Sequence, residues 1–109
     1  MKPIPKSLLI HSAELRDVGE DEWQNEKVQS STALMRVRIE PMSKLVTSSN
    51  NRTVTLSAAL FYDCRNSRPA GVEFKQGQRL VFGGREYTVE TVEELYDHGK
   101  LHHLEVGLV

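Results

Sequence analysis

Between Ala33 and Glu40 (ALMRVRIE) the chain alternates its side chains one for one. That is the period of a β-strand, whose successive side chains point to opposite faces of a sheet. It predicts a half-buried strand with Ala33, Met35, Val37 and Ile39 on one face and Leu34, Arg36, Arg38 and Glu40 on the other. Pro41 has no N–H to give to a ladder and is read as the stop. The same period returns over Arg52–Tyr62 (RTVTLSAALFY), where Val54, Leu56, Ala58, Leu60 and Tyr62 oppose Thr53, Thr55 and Ser57. Its β-branched content favours a strand over a helix.

The other elements follow from punctuation as much as from period. Ser7–Leu15 reads as a first strand, and Arg16–Asn25 as a polar turn region holding Gly19, Glu20, Asp21 and Glu22. Trp23 is expected to re-enter the fold as a packing anchor. Ser43–Asn51 (SKLVTSSNN) is polar and turn-rich, and is expected to be a long loop or a mobile hairpin tip. Asp63–Gln78 is a connection with Pro69, Gly71 and Gly77. Arg79–Phe82 is a short strand, and Gly83-Gly84 stands where a two-residue hairpin needs positive φ. Arg85–Val92 returns, and Glu93–Tyr96 continues or kinks it. Asp97-His98-Gly99-Lys100 makes the next turn, and Leu101–Val109 closes with Leu104, Val106 and Leu108 facing the core. No segment sustains a helical period. The expected fold is all-β: a small antiparallel barrel or sandwich of about six strands with a long polar loop, in a single β domain over 1–109.

Composition narrows the partners. The chain has 109 residues and a formal net charge of −1 with its histidines neutral. Nucleic-acid binders draw much of their affinity from neutralising phosphates and carry a strong positive balance. This chain does not, so a DNA-related role would be to enclose DNA rather than grip it. Cys64 is the one cysteine, which excludes an internal disulfide and fits a reducing cytoplasm. Leu8-Leu9-Ile10 is too short for a signal-peptide core, and no stretch is long enough for a membrane helix.

Candidate chemistry is sparse. His102 and His103 are adjacent, so on a regular strand their rings point to opposite faces and cannot share one ion. His103 and Glu105 share a face with His98 nearby, but no third ligand is indicated, and solvated or partly packed histidines are preferred to a metal site. Cys64 lies near Arg65 and Arg68, without any nucleophile turn, and reads as a buried or incidental thiol. Gly83-Gly84 lacks the helix and lysine of a phosphate loop. Glu90, Glu93 and Glu94 contain no pair set apart as acid and nucleophile. No catalytic residue, cofactor site or metal site is assigned, and no enzyme activity is expected.

The segments RVRIEP (Arg36–Pro41), FYDCRNSRP (Phe61–Pro69), FKQGQRLVFGGREYTV (Phe74–Val89) and LYDHGKLHHLEVGLV (Leu95–Val109) carry a resemblance. In order and spacing they resemble the minor capsid proteins of tailed phages and prophages, part of the wider class of head-completion, stopper or head–tail connector proteins. The similarity covers about Leu34 to Val109. It implies a small β-barrel made in the bacterial host cytoplasm and located in the virion. Such a protein assembles as a ring at the portal vertex, with portal or adaptor above and tail proteins below, while DNA passes through unbound.

For protein contact the chain offers Arg36, Arg38, Lys44 and Arg52, with Ser48, Ser49, Asn50 and Asn51 of the polar segment. The cations compose either a basic patch or an ordinary solvated strand face. Two other functions compete with the connector. A small-barrel module for nucleic acid or another ligand needs a basic, aromatic-bearing face, whereas the aromatics here fall mostly at core positions. A metal-dependent barrel enzyme needs a stoichiometric ion.

Overall fold

The computed structural model describes residues 2–20, 22–47 and 51–109. Its strands are β1 (His11–Glu20), β2 (Glu26–Thr47), β3 (Thr53–Asp63), β4 (Arg79–Phe82), β5 (Arg85–Asp97) and β6 (Lys100–Leu108). They form one antiparallel sheet that closes on itself in the order β1-β2-β3-β6-β5-β4. The all-β reading holds, as a barrel rather than a sandwich. Closure depends on four-residue β4, which sets Leu80 opposite Leu15 and Arg79 opposite Arg16. A closed sheet removes the edges that an open one would expose.

Two hairpins form where glycine predicted them. Phe82 pairs with Arg85 around Gly83 and Gly84 (φ 61° and 77°), and Asp97 pairs with Lys100 around His98 and Gly99 (φ 50° and 80°). Positive φ at both central residues matches the twist of the flanking strands. The core collects Leu15, Leu34, Val37, Ile39, Ala58, Leu60, Tyr62, Leu80, Val89, Leu104, Val106 and Leu108. Phe74, from the connection after β3, packs edge-on against Tyr62 with ring centroids 5.6 Å apart.

β2 departs most from its expected form. Between the pairs His11–Val37 and Ala13–Leu34, β1 supplies Ser12 alone while β2 supplies Met35 and Arg36. Arg36 takes φ +56°, so this is a β-bulge. A bulge inverts the face of every residue before it. Leu34 is therefore fully buried and Met35 is 57% exposed, the reverse of the alternation reading, while Val37 and Ile39 stay inside. The backbone of Met35 bonds instead to that of Arg68 in both directions, at 2.7 and 2.9 Å. The Ser67 hydroxyl donates to the Arg36 carbonyl, so the turn after β3 pins the bulge.

Pro41 does not end the strand. Ile39 N–H points toward β1, where it donates to His11 Nδ1 at 3.0 Å. Pro41, two residues on, faces the same way. The β1 ladder has already stopped at Val37, so the missing donor falls on an open edge. A second bulge then sets Met42 and Ser43 against Ser57, and pairing resumes from Lys44–Leu56 to Thr47–Thr53. Ser43–Thr47 is thus strand, not part of a long loop; Ser48, Ser49 and Asn50 lie outside the described residues. At the other end, Arg16–Glu20 and Glu26–Ser31 are strands paired with each other rather than a turn region. β1 begins at His11, not Ser7, because Leu8 N and Leu9 N bond back to Pro5 O and Lys6 O in tight turns.

Candidate functional site

β2 is shared between two hairpin arms. The first joins Asp17–Glu20 of β1 to Glu26–Ser30 of β2, and the second joins Lys44–Thr47 of β2 to Thr53–Leu56 of β3. Both extend past the closed barrel. β4 pairs β1 only up to Arg16, and β6 pairs β3 only from Ala58 onward. Among the described strand pairings each arm is two-stranded, with outer backbone edges available for further pairing.

The arms differ in charge. Residues 20–27 hold Glu20, Asp21, Glu22 and Glu26 against Lys27. Between Glu40 and Asp63 the charged residues are Lys44 and Arg52, both cationic and exposed. Each arm also shows apolar surface to solvent: Val28 is 49% exposed on the first and Leu45 is 70% exposed on the second. Trp23, near the first tip, is 77% exposed. It does not anchor the core as expected, because the turn region it was assigned to is an arm tip outside the barrel.

The root of the first arm is fastened by polar contacts. Gln78, buried in the connection before β4, donates to Asp17 Oδ1 at 2.8 Å, and the Ser30 hydroxyl donates to Asp17 Oδ2 at 2.8 Å. The Gln78 bond chiefly, then that of Ser30, holds the Asp17 carboxyl below its ordinary range. Glu14 accepts from Arg16 and from the Ser31 hydroxyl, and these bonds, Arg16 first, lower it in the same way. Arg79 of β4 reaches Glu26 on the arm.

The contact residues read from sequence do not make one patch. Arg36 is the exposed bulge residue. Arg38 pairs with Glu40 and donates to Leu8 O at 3.1 Å, so much of its hydrogen-bonding capacity is used within the chain. Lys44, Asn51 and Arg52 are exposed on the second arm, and Asn51 takes φ +61° beside Arg52. The first arm was missed as a surface because its charges were read as a turn, although the run of acids before Trp23 was a visible signal.

The histidines are arranged differently from the strand argument. Leu95 pairs with His103 and Tyr96 with Leu101, which leaves His102 as an extra residue on β6. This bulge turns both imidazoles to one side. Their Nδ1 atoms stand 2.7 Å apart and their planes cross at 82°. His98 lies away in its turn with a 91% exposed side chain, and among the described residues no three His, Cys, Asp or Glu side chains are placed to hold a metal ion. Burial pushes the Cys64 thiol up, with the neighbouring Asp63 and Glu94 adding to the shift, which makes it a poorer nucleophile.

No curated protein matches the chain. A family model described as minor capsid protein matches residues 5–108, which takes in all six strands of the described residues. The chain therefore belongs to the minor capsid protein family, and as such it is a structural protein of the virion that works in contact with other virion proteins.

Proposed function

We propose that this chain is a head-completion protein of the connector or stopper class, which assembles as a ring at the portal vertex and joins head to tail. It acts by contact and not by catalysis. Portal or adaptor proteins lie above it, tail proteins below, and DNA passes through without specific binding.

The observation that carries the reading is the pair of oppositely charged arms drawn from one strand. A ring needs two different surfaces on each subunit, each complementary to the other. The acidic first arm and the basic second arm supply such a pair, and their open edges and exposed apolar residues give short-range contacts once charge has aligned them. A net charge of −1 also suits a channel wall, which must not hold the polyanion that slides past it.

The test is made in a phage that encodes the chain. Deleting the coding sequence is expected to give DNA-filled heads without tails, seen by electron microscopy, and supplying the protein in trans should restore complete particles. Lys44→Glu with Arg52→Glu is expected to reproduce the deletion while the purified variant keeps its circular dichroism spectrum. Complete, infective particles from the deletion strain would overturn the proposal.

A further inference from the structure

Residues 2–9 form no strand, yet they are strapped across the outside of the barrel at three points. The Lys2 carbonyl meets His102 Nε2 of β6 at 2.6 Å. Ile4 gives its N–H to Asp63 Oδ1 at 3.0 Å and takes the amide of Asn66 on its carbonyl at 2.8 Å. The Leu8 carbonyl takes a bond from Arg38 of β2 at 3.1 Å, and Leu9 is buried beside it. The strap thus crosses β6, the end of β3, and β2 in turn.

Its first fastening is set by protons. Lys2 O only accepts, so His102 Nε2 carries a proton. The two Nδ1 atoms at 2.7 Å share one proton between a donor and an acceptor. His103 Nε2 faces Glu105 Oε1 at 3.4 Å, where a bare lone pair would meet a carboxylate. A proton there instead makes an ion pair. Making all three contacts as hydrogen bonds at once takes three protons on four ring nitrogens, hence one positive charge on the pair. His102 is then the neutral Nε2–H tautomer and His103 the imidazolium.

Charged groups of both signs surround the pair. Glu93 of β5 lies directly opposite Glu105, a like-charge pair that a nearby cation relieves. Asp63 lies opposite His103 on β3, and Asp97 lines the same hollow as His102. Lys100 and Arg65 line that hollow too and oppose a further positive charge, as does the Lys2 side chain on the strap. The Cys64 backbone fixes the bulge by donating to the His102 carbonyl at 3.2 Å.

We propose that His102 and His103 are a one-proton clasp that fastens the N-terminal strap within a bounded pH window and releases it on either side. With two ring protons, one of the three links is lost. With four, an N–H is forced against an N–H between the rings and the clasp opens. A bell-shaped dependence follows, which a single titrating histidine cannot produce.

The reporter is the Ile4 amide, since Pro3 and Pro5 have no N–H. Its hydrogen-exchange protection, corrected for intrinsic rate, is expected to pass through a maximum with pH and to fall about two- to tenfold on each side, the worth of one hydrogen bond. Ring ¹⁵N shifts at the maximum should show one neutral Nε2–H ring and one imidazolium. His103→Phe should abolish the maximum, while His98→Gln, outside the cluster, should keep it. Asp63 holds Ile4 directly, so any loss from its own protonation persists in His103→Phe and is removed by the comparison. Two neutral rings with Ile4 still protected, or a maximum that survives in His103→Phe, would overturn the clasp. If His103→Phe fails to fold, the ring shifts of the native chain decide alone.

Discussion

Gly107 is a position where one added methyl should disturb the packing inside the sheet. It lies in β6 opposite Ala59 of β3 on one side and Thr91 of β5 on the other. A Cβ there would stand 2.3 Å from Thr91 Oγ1 and 2.7 and 3.0 Å from the two methyl carbons of Leu56. Ordinary contact is near 3.4–4 Å, so Thr91 must yield by about 1 Å or turn its hydroxyl away. Overpacking of this kind costs about 1–3 kcal/mol. Removing a glycine from a strand interior returns about 0.5–1 kcal/mol, because the unfolded chain loses freedom. From the middle of these ranges the expected net loss for Gly107→Ala is about 1 kcal/mol, or a fall in Tm of about 4–5 °C for a chain of this length. Urea unfolding followed by circular dichroism measures the first and a thermal scan the second. Thr91→Ala removes the nearest atom, so Gly107→Ala should cost less in that background than in Thr91→Ser, which keeps the hydroxyl. A Gly107→Ala chain within about 0.3 kcal/mol of the native one, or an equal cost in both backgrounds, would refute the attribution.

Three further outcomes probe the bulge, the strap and the first arm. Leu34→Ala is expected to cost about 2–5 kcal/mol and Met35→Ala less than about 1, the reverse of what alternation implies, and chemical denaturation of the two variants decides which faces inward. Asp63→Ala removes the acceptor for Ile4 N and, at Oδ2, for Arg65 N at 3.1 Å and Asn66 N at 2.8 Å. The expected loss is about 2–4 kcal/mol with faster exchange at Ile4; unchanged exchange there would show that Asp63 does not hold the strap. Asp17 and Glu14 have lowered folded-state pKa values, so their stabilisation is complete above the ordinary carboxylate range and lost as pH falls through the lowered values. Amides of Asp17–Glu20 and Glu26–Ser30 should therefore lose protection on acidification before those of Leu60 and Val106, and simultaneous loss would contradict this.

Much of the barrel was legible along the chain. β3 and β6 show their inward residues in strict alternation, and Leu60, Tyr62, Leu104, Val106 and Leu108 are buried as that period predicts. Gly83-Gly84 and His98-Gly99 announce their hairpins because positive φ at two successive positions is a local steric demand. The surface on which the proposed function rests was visible along the chain only in part. Lys44 and Arg52 were singled out and both lie on the second arm, but the acidic residues of the first arm were read as a turn, and Arg38 was offered to a partner although Glu40 and Leu8 engage it.

What the sequence determined by itself is the local part: the strand period, the two-residue turns, and the absence of any sustained helical pattern. These follow from the sterics and solvation of residues near one another in the chain. What the tertiary structure decided is every feature that depends on a partner strand. The Arg36 bulge exists because Met35 bonds to Arg68 and Ser67 holds the Arg36 carbonyl, more than thirty residues away. Pro41 is tolerated because the β1 ladder has already ended beside it. His102 and His103 meet because β6 carries one residue more than β5. A bulge costs little where it occurs and inverts the face of all that precedes it, so register is settled between strands and not within them.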